Sequence, residues 1–268
     1  MQNKIAIITG GTSGIGKALA FQFGRNGYNI VFSGRNMEKI FETERELKSQ
    51  NINSIGVVAN AVSEVDASIL VKRAYQEYGT IDVLICNAGI SMRAMFDKVE
   101  LDVLKQLMDT NFWGTVYVCK EALPHLIRSK GSIVGISSIA GYRGLPARTG
   151  YSASKFAMQG FLESLRTELL KKGVHVLVAC PGFTSSNIRN VALSADGSTQ
   201  KESPMDESKI MSAEEVAKHI YEATIKRKRD LVLTTQGKLT VFLNKMFPSF
   251  MDKMVFNHFA KEKDSPLN

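Results

Sequence analysis

No apolar run in the sequence approaches the roughly 18 residues that a membrane-spanning helix needs. Cysteine is scarce and odd in number: Cys86, Cys119 and Cys180 each lie in or beside an apolar segment, without metal-ligand spacing. That argues against a disulfide framework and a cysteine-built metal site, and predicts reduced, buried thiols in a reducing, cytoplasmic setting. Of the 4 histidines, His175 has no evident partner and is expected to be structural. No linker, internal repeat or low-complexity tract interrupts the chain. The first strand is expected to begin near Lys4, leaving no room for a cleavable signal ahead of it. Lys and Arg number 34 against 26 Asp and Glu, a formal charge of +8, yet the only dense basic run is Lys226-Arg227-Lys228-Arg229. Nucleic-acid binding favours a compact basic stripe with exposed aromatics. This run instead ends an expected helix, where cations complement the C-terminal partial charge, so no nucleic acid is expected as a partner. An anionic cofactor or a weak attraction to acidic surfaces also fits the charge.

What is present is a chain of 268 residues, 44% hydrophobic, enough for one large core and consistent with a single domain over residues 1–268. Strand and helix patterns alternate from the start. Lys4-Ile5-Ala6-Ile7-Ile8-Thr9 is a short apolar run of buried-strand type. Gly10-Gly11-Thr12-Ser13-Gly14-Ile15-Gly16 follows, then a helical pattern from Lys17, then the second apolar run Tyr28–Phe32. Strand, glycine turn, helix and strand form a βαβ unit that opens a nucleotide site. The glycines permit a tight turn and let backbone N–H groups approach a pyrophosphate at the helix N-terminus.

A second constellation carries chemistry. Tyr151 and Lys155 are one helical turn apart and share a helix face. A free phenol titrates near pH ~10, and a neighbouring cation stabilises phenolate. Ser138 closes the apolar run Ser132–Ser137, at the carboxyl end of an expected parallel strand, where ligands bind in open sheets. Ser137 is the adjacent candidate, with its side chain pointing the opposite way if the strand alternates there. A serine hydroxyl aimed beside a tyrosine forms a proton-transfer device for a carbonyl and alcohol pair. Asn111 lies inside an expected helix from Leu104 to Glu121. Asn87-Ala88-Gly89 closes another apolar run, Ile81–Cys86, and Pro181-Gly182-Phe183-Thr184 follows the run Val174–Cys180.

Thr9-Gly10-x-x-x-Gly14-Ile15-Gly16, Asn87-Ala88-Gly89, Asn111, Ser138, Tyr151-x-x-x-Lys155 and Pro181-Gly182 occur in that order over roughly residues 3–230. In this the sequence resembles the short-chain dehydrogenase/reductase family. The resemblance implies an α/β fold: one doubly wound Rossmann-type domain, with a seven-stranded parallel sheet and helices on both faces. It implies cofactor contacts from Gly10, Thr12, Ser13, Gly14, Ile15 and Gly16 in the first turn. Asn87, Ala88 and Gly89 back the adenosine half, and Pro181, Gly182 and Thr184 lie at the nicotinamide. The implied chemistry is hydride transfer from NADPH, pro-S at C4, to a carbonyl whose oxygen is held by Ser138 and Tyr151. Tyr151 donates the proton. Lys155 holds the nicotinamide ribose and lowers the Tyr151 pKa. Asn111 disturbs its helix and holds a water linking Lys155 to solvent. No metal is required. A homodimer or homotetramer is also implied.

The cofactor choice rests on the end of the second strand, where an acidic residue binds a ribose hydroxyl and an arginine accommodates a 2′-phosphate. Here Ser33-Gly34-Arg35 places glycine at the acidic position and Arg35 after it. With no carboxylate to repel a phosphate, Arg35 and Ser33 favour NADP(H) over NAD(H). Many family members carry Asp-Val after the third strand. This chain has Ala61-Val62 there, preceded by Asn60, so the adenine contact falls to backbone or to Asn60.

Beyond the motifs, residues 183–212 have little periodicity and follow the nicotinamide turn, which suits a substrate lid. Ser212-Ala-Glu-Glu215 reads as a helix N-cap. The segment 237–268 is apolar and basic: Leu239, Phe242, Leu243, Met246, Phe250, Met251 and Met254 recur at helical spacing among Lys238, Lys245 and Lys253, with a break at Pro248. Three fates are open: a cover for the substrate pocket or a subunit contact, a membrane-surface element, or disorder. The tail resembles those of branches that act on steroid, retinoid or long-chain lipid ketones. The reading is an NADPH-dependent reductase of apolar ketones or aldehydes, working reversibly on secondary alcohols. The alternatives are an NAD-dependent alcohol dehydrogenase on the same fold and a non-catalytic nucleotide-binding module.

Overall fold

The computed structural model describes residues 4–184, 188–200, 210–262 and 264–267. Uninterrupted apolar runs become strands: β1 (Ile5–Ile8), β2 (Asn29–Gly34), β3 (Ser54–Val58), β4 (Val83–Cys86), β5 (Ser132–Ile136), β6 (His175–Cys180) and β7 (Asp230–Val232). All neighbours pair in parallel, in the order β3-β2-β1-β4-β5-β6-β7. The helices are α1 (Gly14–Arg25), α2 (Met37–Ser49), α3 (Glu64–Tyr78), α4 (Leu101–Leu107), α5 (Gly114–Ser129), α6 (Thr149–Glu168), α7 (Ala213–Ile225), α8 (Thr235–Met246) and α9 (Pro248–Ala260). Strand alternation sends Ala6, Ile8, Ile30 and Phe32 toward α1 and α7, and Ile5, Ile7, Val31 and Leu84 toward α3, α5 and α6. This is the expected seven-stranded parallel sheet with helices on both faces. Strand order reverses between β1 and β4, so a crevice opens at their carboxyl ends, where such sheets bind ligands.

At Asn111 the expected helix is disturbed, as the family resemblance implies. Instead of running unbroken from Leu104 to Glu121, the chain leaves α4 at Leu107, passes through a π-helical turn at Met108–Trp113, and continues as α5. The cause is Asn111, which is fully buried. Its side chain turns away from the helix to bond the loop after β4 and α6, and Thr115 Oγ1 donates to its carbonyl at 3.0 Å. A π-turn absorbs the added residue, as it often does beside functional sites.

The other local features have direct causes. Ser212 and Glu215 make both bonds of a capping box and start α7. Pro248 sits in the first turn of α9, where its missing N–H has no helical partner to lose, so the tail forms two helices rather than one kinked one. The basic run after α7 works locally: Arg227 donates to the carbonyls of Lys130 and Gly173, and Arg229 pairs with Glu163 and Asp230. His175 bridges Ser132 Oγ and the Lys228 carbonyl, a structural tie between β5, β6 and the turn before β7. The three cysteines are free and buried.

Candidate active site

The first turn shows why glycine is needed. Gly10 adopts φ +66°, and a Cβ there would lie 3.0 Å from Ala88 Cα. A Cβ on Gly16 would lie 2.2 Å from the Gly10 carbonyl oxygen, so α1 can approach its own turn only without a side chain. Asn87 braces this turn by donating Nδ2 to the carbonyls of Thr9 and Gly10, while Thr9 Oγ1 accepts from the backbone N–H of Asn87 and Ala88. The result is a cavity of about 630 Å³ at the α1 N-terminus. It contains Gly10, Thr12, Ser13, Gly14, Ile15 and Gly16, together with Ser33, Arg35, Ala61, Val62, Asn87, Ala88 and Gly89. Arg35 is exposed on its rim, and among the described residues it makes no hydrogen bond or ion pair. Gly34 packs against Thr12: a Cβ there would be 2.6 Å from Thr12 Cγ2, so this turn leaves no room for an acidic side chain as it stands. Asn60 lines the cavity, but its Oδ1 already accepts from Val62 N–H at 3.4 Å in a local turn.

A second cavity, about 610 Å³, adjoins the first, and Ile15, Asn87, Gly89 and Ile188 line both. It holds Ser138, Tyr151, Lys155, Pro181, Gly182 and Thr184. Ser138 follows β5 and caps a short 3-10 turn, its Oγ accepting from Ala140 N–H at 3.2 Å. Ser137 points elsewhere, accepting from Gln159 Nε2 at 2.8 Å, as alternation requires. Tyr151 and Lys155 stand in the first two turns of α6. Lys155 is buried, donates to the Ile136 carbonyl at 2.9 Å, and lies 5.9 Å from the Tyr151 ring centroid. Asn111 donates to Ile90 O (3.0 Å) and Ser154 Oγ (2.8 Å) and accepts from Ile90 N–H (2.8 Å). Both of its amide hydrogens are thereby engaged, leaving one Oδ1 lone pair. Thr184 is buried and donates to the Gly182 carbonyl.

Burial dominates the electrostatics. It lowers the Lys155 pKa to about 8. It also raises the Tyr151 phenol above its ordinary value; a hydrogen bond from Ser138 opposes it, Cys180 adds to it, and Arg148 and Arg189 oppose it. The expected depression of the phenol by Lys155 is therefore not the leading effect. The Nζ is committed to Ile136, and desolvation outweighs attraction at this depth.

Several residues at the site carry no motif, and some of them fall in the segments read as a lid, 183–212, and as a tail with a pocket cover among its fates, 237–268. Ile188 and Val191 close over the first cavity, and Arg148 and Arg189 reach the second. The inner face of α9, with Met251, Val255 and Phe259, packs on Leu145 and Phe183 and walls the second cavity. Arg148 donates to both carboxylate oxygens of Glu262 at 2.9 Å, and Arg93 joins at 3.4 Å. All three side chains are at most 13% exposed. Within the span expected as a lid, residues 185–187 and 201–209 lie outside the described residues. Of its described residues, 188–200 bridge to Met92 through Leu193, which packs against Val99, Val103 and Leu107.

The family model for short chain dehydrogenases matches residues 4–196. Dehydrogenase/reductase SDR family member 7B of Bos taurus is 35% identical over 284 residues, covering 99% of this chain and 84% of that protein. The Mus musculus protein of the same name is 32% identical over 280 residues, with the same coverage. Among solved structures, a short chain dehydrogenase/reductase from Burkholderia phymatum in complex with NAD superposes with a TM-score of 0.83 at 21% identity, covering 93% of this chain and 95% of that one. An alcohol dehydrogenase from Thermococcus sibiricus complexed with 5-hydroxy-NADP gives 0.75 at 20% identity, covering 86% and 95%. At those identities the two structures show the shared fold alone.

Proposed function

Because the chain belongs to the short chain dehydrogenase family, a family of oxidoreductases, we propose that it is an NADP(H)-dependent reductase of apolar ketones or aldehydes that also oxidises the corresponding secondary alcohols. The observation that carries this reading is the meeting of two cavities along Ile15, Asn87, Gly89 and Ile188, one with a glycine cradle and Arg35, the other with Ser138 and Tyr151. The cradle fits a dinucleotide: without side chains at Gly10 and Gly16 the turn closes tightly on Asn87 and Ala88, and the N-terminus of α1 then borders the first cavity, where helix-start N–H groups suit an anion. Thr12, Ser13, Gly14 and Ile15 hold the pyrophosphate side, Arg35 and Ser33 the 2′-phosphate, Ala61 and Val62 the adenine. Asn87, Ala88 and Gly89 back the adenosine. Lys155, Pro181, Gly182 and Thr184 hold the nicotinamide end. When bound, the cofactor supplies the hydride.

This chain's own residues do the rest. Ser138 Oγ and the Tyr151 hydroxyl hold the carbonyl oxygen, and Tyr151 gives it a proton as negative charge develops there. The raised phenol pKa keeps Tyr151 protonated before reaction, which suits an acid in the reducing direction. Lys155 compensates the phenolate that forms, and Asn111 fixes the loop and helix that position both. The apolar wall from α9 excludes water and selects an apolar substrate. Exposed Trp113 and Phe156, on the outer surface of the α4–α5 and α6 segments, support assembly as a homodimer or homotetramer.

The test is a panel of ketones and aldehydes, varied in chain length and ring system, with NADPH and NADH. Turnover with NADPH that rises with apolar surface is expected. Tyr151→Phe should lower it by roughly 10²- to 10⁴-fold, the usual share of a general acid, with NADPH affinity unchanged. Full turnover in Tyr151→Phe, or preference for NADH, defeats the proposal.

A further inference from the structure

The two tail helices have two faces, and only one is used by the fold. Met251, Val255 and Phe259 face inward. Outward, Leu239, Phe242, Met246, Phe247, Phe250 and Met254 are each 46–60% exposed. An apolar group of this size on a protein surface marks an interaction site. Lys238, Lys245 and Lys253 are exposed among them, and Asp252 is the only carboxylate from 235 to 260, already paired with Arg143. We propose that this outer face of α8 and α9 docks on an anionic lipid surface, with the wall of the second cavity held against the bilayer.

Charge selects this occupant over a second copy of the chain. A two-fold contact would set the same patch against itself and bring the lysines of both copies together, with only Asp252, already paired with Arg143, to answer them. A surface of anionic lipid headgroups answers them directly, while the phenylalanines enter the acyl boundary. The helices span 12 and 13 residues, and no helix among the described residues is long and apolar enough to cross a membrane. The geometry is therefore that of an element lying on the surface. Continuity with the cavity adds a functional reason. Met254 is nearly half exposed yet lines the second cavity, so the docked face and the cavity wall share a side chain. This consequence for substrate entry rests on the proposed reductase reading; the docking itself does not.

The experiment is co-sedimentation of the purified full chain with phosphatidylcholine vesicles, with and without phosphatidylserine, at low and high salt. Pelleting with phosphatidylserine vesicles, weakened by salt, is expected. Lys238→Glu/Lys245→Glu/Lys253→Glu should weaken partitioning by on the order of a hundredfold or more. Phe242→Ser/Phe250→Ser should abolish it, while NADPH binding by either variant stays unchanged and reports an intact fold. Failure to pellet with any vesicle overturns the proposal. So does equal binding by the wild type and both variants. Analytical ultracentrifugation gives the remaining outcome: a dimer that Phe242→Ser/Phe250→Ser dissociates, without vesicle binding, assigns the face to self-association and also overturns it.

Discussion

Lys155 is the residue whose environment conflicts most with its own chemistry. Its charge is buried, and burial lowers its pKa from 10.5 to about 8. The sign of the consequence follows from linkage. Between those two values the unfolded chain holds a proton that the folded protein has released, so this site's contribution to stability rises with pH across that window. Below about 8 the full penalty applies, about 3 kcal/mol from a shift of this size. Lys155→Met removes the penalty but also the bond to Ile136, which contributes about 1–2 kcal/mol. The variant is therefore expected to be inactive yet more thermostable than the wild type at neutral pH, by a few degrees, with the gain vanishing as the pH approaches the unfolded lysine value. Paired thermal melts across that range check this. A variant less stable at neutral pH shows instead that Lys155 is chiefly a packing group. Such a conflict between stability and local chemistry is expected at a functional site.

At the level of elements, α9 is the part that the motifs do not explain. A buried ion pair is weak evidence for stability, but removing one partner leaves an uncompensated charge at a cost of about 3–5 kcal/mol. Glu262 faces two arginines, so Glu262→Gln leaves both without their carboxylate. The tail can respond by opening locally, without global unfolding. The expected result is faster hydrogen exchange over residues 248–262 and a raised KM for the apolar substrate, with NADPH affinity unchanged. Exchange at the wild-type rate in this variant rules out the ion pair as the fastener. None of this was legible in the sequence. Arg93, Arg148 and Glu262 come together only through tertiary packing, with no periodicity to join them. The disturbance at Asn111 came from the family resemblance and not from periodicity, because its cause is a bond to the loop before α4. The apolar runs, the glycine turn and the Ser212 cap were legible because each is a local pattern with a local cause.

For the whole molecule, the strand order follows from βαβ units that the sequence displays one by one, and the crevice follows from the reversal between β1 and β4. Both cavities open there, so a ligand in the first cavity touches the ends of several strands and should stabilise the entire domain by mass action. At a concentration about a hundred times its Kd a ligand adds about 2.7 kcal/mol, which for a chain of this size raises Tm by roughly 5–10 °C. NADPH is expected to give that shift and NADH a smaller one at equal concentration. The difference depends on Arg35, which is exposed at the rim and engages no other described residue, so replacing it breaks nothing in the folded protein. Charge-assisted bonds to a phosphate are worth about 1.5–3 kcal/mol, so Arg35→Ser should remove at least half of the NADPH shift. Its effect on the NADH shift and on the unliganded Tm should be nil. Equal shifts for the two cofactors in the wild type, or an NADPH shift that survives Arg35→Ser, means that the 2′-phosphate is recognised elsewhere or not at all. Scanning calorimetry of both proteins, each with both cofactors, decides the matter without any knowledge of the substrate.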